Sequence, residues 1–138
     1  MNSNFGEGDI GLLVKELFDE VLDDGVQLHG VDYFVGQPLS SMWHATARVG
    51  HEFEKRRDAF LWILERLLLE GRLKLHKDGS FLETSIAEQI ESFRHVWPSN
   101  EKPYPTHPDA DFHLWFFDPT CPAGVAWRQA DGVYLIAY

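Results

Sequence analysis

The sequence predicts an α+β fold, with helices packed on a C-terminal three-stranded antiparallel sheet. Three observations predict it. Three segments before Pro98 carry apolar residues at helical spacing, and short apolar runs broken by turn residues follow Asp111. Helices precede strands instead of alternating with them, which favours helices covering one face of a sheet over a βαβ arrangement. At 138 residues and 44% hydrophobic content, the chain suits one domain, 1–138, able to bury a core without staples.

The first helix is expected from about Asp9 to Asp24, where Ile10, Leu13, Val14, Leu17, Phe18 and Val21 form one stripe, Asp9 caps the start and Gly25 the end. A short helix follows from about Leu39 to Arg48. The stronger one runs from Glu52 to Glu70, with Phe53, Phe60, Ile63, Leu64, Leu67 and Leu68 as its stripe and Gly71 as its stop. Leu73 and Leu75 alternate with Arg72 and Lys74 as on a strand, and Lys77-Asp78-Gly79 marks a turn before Phe81. Ser85 with Glu88 forms a capping box for a helix to Val96, which Pro98 ends. Four prolines make 98–110 an irregular loop. Phe112–Phe117, Gly124–Arg128 and Val133–Ala137 then read as the three strands of a meander.

Charge narrows the function. Lys and Arg number 12 against 22 Asp and Glu, a net of −10. Nucleic acid and anionic membranes need clustered cations, so neither is an expected partner, and a basic protein fits better. Residues 1–43 hold eight acids against Lys15, whereas residues 44–97 hold nine charges of each sign. On the first helix, Glu16, Asp19, Glu20 and Asp23 fall opposite the apolar stripe, and Asp24 lies at its end. These five acids are the expected partner-binding residues. The alternative for them is a solvated face that aids solubility. The longest apolar runs are six residues, Ala59–Leu64 and Val133–Tyr138, far short of a bilayer span, and no secretory signal is visible. The lone Cys121 excludes an internal disulfide and a cysteine-built zinc site, so a reducing cytosol is the expected compartment.

Enzymatic readings are weaker. His107, Asp109, Asp111 and His113 alternate, so a strand would present all four on one face, and zinc or manganese uses such ligands. A small metal-dependent hydrolase on the His107–His113 segment is therefore the alternative function, although the spacing matches no established ligand pattern. His44 and His51, seven apart, share a helix face only if one helix runs through Gly50, and His51-Glu52 does not make the two-histidine zinc motif because position 55 is Lys55. Cys121 lacks neighbours that would stabilise a thiolate and reads as structural. Trp62, Trp115 and Trp127 are expected in the core; for Trp43 and Trp97, near element ends, half exposure is the alternative to a core position, which stays the default. With no complete catalytic constellation, the expectation is no catalysis, no metal and no cofactor.

Four stretches carry a resemblance: WILERLLLEGRLKL over 62–75, GSFLE over 79–83, SIAEQIESF over 85–93 and WFFDPTCPAGVAW over 115–127. They resemble a small bacterial domain-of-unknown-function family similar to immunity proteins of contact-dependent growth inhibition. The motifs are structural: a helix end, a turn, a cap and a hairpin. The resemblance implies a monomeric cytosolic inhibitor that binds and neutralises the C-terminal toxin domain of an effector. Many such toxins are nucleases with basic clefts, which an acidic inhibitor can occupy. It implies no catalytic residues.

Overall fold

The computed structural model describes residues 36–49, 52–100 and 111–137. The predicted first helix, with Glu16, Asp19, Glu20, Asp23 and Asp24, lies outside the described residues.

The expected short helix is an α-helix, Leu39–Ala45 (α1), that tightens into a 3₁₀ turn, Thr46–Val49 (η1). The longest element, Phe53–Leu69 (α2), buries Phe60, Ile63, Leu64 and Leu67 along the predicted stripe. Its stop is a Schellman motif. Gly71 adopts φ +69°, the Arg72 N–H donates to Leu67 O at 3.0 Å, and the Gly71 N–H donates to Leu68 O at 3.0 Å. The chain then enters β1 (Leu73–Lys77), turns through Asp78 (φ 53°) and Gly79 (φ 86°), and returns as β2 (Ser80–Phe81). Two consecutive positive φ values make the two-residue turn that suits strand twist, which explains Asp-Gly there. In α3 (Ile86–Val96) the Ser85 hydroxyl accepts from the Glu88 N–H at 3.1 Å, as the capping box requires. Arg94 on α3 reaches Asp58 on α2 at 3.5 Å.

The class is α+β, but the sheet differs from the expected meander. It has four strands in the order β2-β1-β3-β4, all antiparallel, with β3 at Gly124–Arg128 and β4 at Tyr134–Ile136. The β1–β2 hairpin precedes α3, so the sheet is not wholly C-terminal. Leu73 pairs with Trp127 and Leu75 with Val125, and all four side chains are buried on one sheet face.

The predicted strand Phe112–Phe117 is instead a 3₁₀ helix (η2). Five of its six residues are apolar and only His113 interrupts them, so periodicity could not separate a strand from a helical turn. The backbone closes three-residue steps: the Leu114 N–H donates to Asp111 O at 3.1 Å and the Asp118 N–H to Trp115 O at 2.9 Å. Phe112, Trp115 and Phe116 go inward, while Leu114 and Phe117, three apart, share an exposed ridge.

Trp43 takes the default position, buried in the core among rings. Its ring centroid lies 4.6 Å from Phe112, 5.6 Å from Phe53 and 5.7 Å from Trp97. The Arg56 guanidinium lies 4.2 Å from the Trp43 ring centroid, and its Nη2 donates to Trp43 O at 3.0 Å while its Nε donates to Thr46 Oγ1 at 3.0 Å. Buried Thr46 in turn donates to Trp43 O at 2.6 Å. Trp115 and Trp127 are core as expected, whereas Trp62 is half-buried at the core's edge. At the far end of the core, the Trp127 indole donates to Gln37 O at 2.8 Å, and the Tyr134 hydroxyl donates to Gly71 O at 2.8 Å. Among the described residues no helix is long and apolar enough to cross a membrane.

Arg56→Ala should lower stability by about 2–3 kcal/mol, because a charged double donor and a ring contact are lost together and buried acceptors remain. Arg56→Lys should recover little of this, since an ammonium cannot reproduce the planar fork. Urea-denaturation midpoints of the two variants check both outcomes.

Candidate functional site

Where the β1–β2 hairpin tip meets the end of η2, the surface folds into a cavity of about 460 Å³. His76, Lys77 and Asp78 form one wall, Phe116 to Pro119 the other, and Cys121 to Gly124 the floor.

Each wall is held by local chemistry. His76 sits opposite Gly124 in the β1–β3 register, and its ring lies over that glycine. A Cβ at position 124 would stand 2.9 Å from His76 Nε2, so glycine is required for the ring to lie there. The Gly79 N–H donates to His76 Nδ1 at 3.3 Å, which leaves the proton of the neutral ring on Nε2. Nε2 is buried without a hydrogen-bond partner. Burial holds the His76 pKa below its ordinary value, against the opposing pull of Asp78.

Lys77 is exposed, yet its side chain reaches the loop on the far side of the cavity. Its Nζ donates to Pro119 O at 3.3 Å and Cys121 O at 3.2 Å, tying the hairpin to the loop after η2. That loop is itself a turn. The Cys121 N–H donates to Asp118 O at 2.9 Å, and Asp118 Oδ1 accepts from the Thr120 N–H at 2.9 Å and the Thr120 hydroxyl at 2.8 Å. Thr120 Oγ1 accepts from the Trp115 indole at 3.0 Å, so the turn is anchored in the core.

Cys121 is buried, and burial pushes its thiol up to about 11. It is a packed thiol and not a poised nucleophile, as its neighbours in sequence suggested.

Of the four alternating residues in the metal reading, His107 and Asp109 lie outside the described residues. Asp111 caps η2, and His113 sits in its first turn. From Phe112 to Phe117 the backbone is 3₁₀, so the two-residue spacing of Asp111 and His113 does not place them on one strand face. His113 instead meets His44 of α1, with ring centroids 5.1 Å apart. Burial, then the neighbouring His113 and Arg56, hold the His44 pKa below its ordinary value, with Asp111 opposing. Residue 51, the other half of the His44 pair weighed from the sequence, is not among the described residues.

The features that sequence reasoning missed are the Leu114/Phe117 ridge and the His76–Gly124 fit. The three-residue spacing of Leu114 and Phe117 was visible, but a strand reading sends them to opposite faces. A second groove, about 420 Å³, lies along the open end of β1 between Leu68, Leu73, Leu82, Ile86 and Tyr134, with Lys74 and Glu83 at its rim.

Residues 68–136 match the family described as "Protein of unknown function, DUF596". The chain belongs to this family. The matched region begins in the last turn of α2 and ends with β4, so it contains the whole described sheet, α3, η2 and the cavity. Among solved structures the chain is similar to an uncharacterized protein conserved in bacteria, from Neisseria meningitidis. That protein is 27% identical, with a TM-score of 0.69 over 88% of this chain and 90% of that one. No curated protein matches.

Gly124→Ala should destabilise the fold by about 1–3 kcal/mol, the usual range for overpacking. His76→Ala in the same chain should remove most of that cost, and a double-mutant cycle from urea melts measures the coupling.

A thiol moved from the usual 9.0 to about 11 holds about a hundredfold less thiolate at pH 8. Iodoacetamide should therefore alkylate Cys121 at least about a hundredfold more slowly in the native protein than in urea, as read by mass spectrometry.

Proposed function

We propose that the protein is an immunity protein of contact-dependent growth inhibition, acting in the cytosol, where it binds and neutralises the C-terminal toxin domain of an effector, a nuclease with a basic cleft. The observation that carries this reading is the charge distribution. Of the net −10, a net of −7 sits in residues 1–43, where eight acids face one base. Such a concentration steers a basic partner and repels nucleic acid, so it suits an inhibitor better than a competing nucleic-acid binder. The same face, Glu16, Asp19, Glu20 and Asp23 with Asp24, is the proposed steering surface.

The protonated, buried Cys121 supports a binding role over nucleophilic catalysis. The hydrolase alternative is weakened because it needs His113 on a strand, and His113 lies in a 3₁₀ turn.

The proposal expects a gene for a large effector immediately upstream, and co-expression with the C-terminal domain of that effector tests it. The protein should restore growth to cells producing that domain and co-purify with it as a stoichiometric complex. Growth arrest that persists despite folded protein overturns the reading. Charge reversal of Asp19, Glu20 and Asp23 to Lys should slow association at low salt by about tenfold, an effect that shrinks as salt screens exposed charges.

A further inference from the structure

We infer that His44 of α1 and His113 of η2 form a two-histidine zinc site, which fastens α1 to η2 beside the Trp43 cluster. The inference stands apart from the toxin-binding reading, since it needs no partner chain.

Position carries it first. The two histidines belong to elements far apart in sequence, yet their rings meet with centroids 5.1 Å apart. Zinc–imidazole bonds are about 2.0–2.1 Å long, and the ring centre lies about 1.15 Å beyond the bound nitrogen. At a tetrahedral angle, two imidazoles on one ion therefore have centroids about 5.2 Å apart. The observed separation matches, so side-chain rotation without backbone movement brings one nitrogen of each ring to a common ion.

Availability carries it next. Among the described residues neither ring makes a hydrogen bond or ion pair, so no ring nitrogen is already spent. His44 is exposed and His113 half-buried, so an ion reaches them from solvent. His76 differs on both counts: it accepts from the Gly79 N–H, and its ring is packed onto Gly124.

The electrostatic setting is mixed. His44 lies in the last turn of α1, where the helix dipole favours a cation, and the Asp111 carboxylate acts on His44 from the start of η2. The Arg56 guanidinium opposes both, but it is turned to the Trp43 carbonyl and the Thr46 hydroxyl. Among the described residues no group of three or more His, Cys, Asp or Glu is placed to hold a metal ion. Two imidazoles are thus the protein ligands, and water fills the other positions. Imidazole nitrogen selects zinc over magnesium and calcium, which prefer oxygen. A site this open holds zinc less tightly than a closed four-ligand site, so its contribution to stability rises with the zinc supplied. The expectation of no metal came from spacing along the chain, and spacing could not relate α1 to η2.

The test uses the full chain, freed of metal by chelation and titrated with zinc chloride by isothermal calorimetry. Urea melts are run at the same zinc concentrations. The wild type should bind zinc and gain stability as zinc rises. His44→Ala and His113→Ala should each weaken binding by about tenfold or more, because either change reduces a chelate to a single ligand. For the same reason the double variant should lose little more than either single one. His95→Ala, at an exposed position on α3, is the control and should change nothing. Magnesium chloride should give no binding heat. Urea melts without zinc check the folds, and the exposed His44 variant decides alone if His113→Ala does not fold. Absence of zinc binding overturns the site, as does wild-type affinity retained by His44→Ala. Losses that simply add in the double variant also overturn it, since they place separate ions on separate histidines.

Discussion

The indole of Trp43 is enclosed on one side by the rings of Phe53, Phe60, Trp97, Phe112 and Phe116, and faces the Arg56 guanidinium at 4.2 Å. Four separate stretches of chain meet at that ring: α1, α2, the end of α3 and η2. Helix pairs alone would leave η2 unattached, because a 3₁₀ segment of six residues has little stability of its own. Its place is set by Phe112 and Phe116 packing against Trp43 and Trp97. The polar cost of burying the Trp43 carbonyl is met by Arg56 and Thr46, which also fixes the step from α1 into η1. Truncating so central an aromatic side chain typically costs about 3–5 kcal/mol, enough to threaten a fold of ordinary marginal stability.

From that anchor the candidate site follows geometrically. With Phe112, Trp115 and Phe116 committed to the core, the three-residue periodicity leaves Leu114 and Phe117 no inward position. The chain leaves η2 through a turn knotted by Asp118 and Thr120 and enters β3, whose first residue is the glycine that admits the His76 ring. His76 and Lys77 lie on opposite faces of β1, yet both serve the same corner: one covers Gly124 and the other pins the Pro119–Cys121 backbone. The cavity is the space left between two elements that are each fastened by different means, which gives it a fixed shape in the unliganded chain. Preorganisation of this kind favours tight binding, since little ordering remains to be done on association.

Where sequence and structure agree, the signal was local. The Ser85–Glu88 cap, the Gly71 stop and the Asp78-Gly79 turn each follow from the φ/ψ or hydrogen-bond demands of a few neighbouring residues. The disagreements involve tertiary context. FHLWFF is apolar apart from His113, so its conformation depends on the rings it meets and not on its own pattern. The β1–β2 hairpin was legible as a strand and turn, but its pairing with β3 across about fifty residues was not, because register between distant strands depends on side chains that neither strand contains. Trp43 near an element end left half exposure open beside the core default, since the partners that cover it come from residues 53–116. The exposure of Leu114 and Phe117 was illegible for the same reason: it is a consequence of what their neighbours bury.

In the proposed function the acidic N-terminal third would govern encounter with a basic partner, a long-range and salt-sensitive effect. The most direct measurement is growth of cells that produce the effector's C-terminal domain, with and without this protein. The account predicts growth restored when the protein is present, together with a stoichiometric complex on purification. Growth arrest that persists in the presence of the folded protein would contradict it.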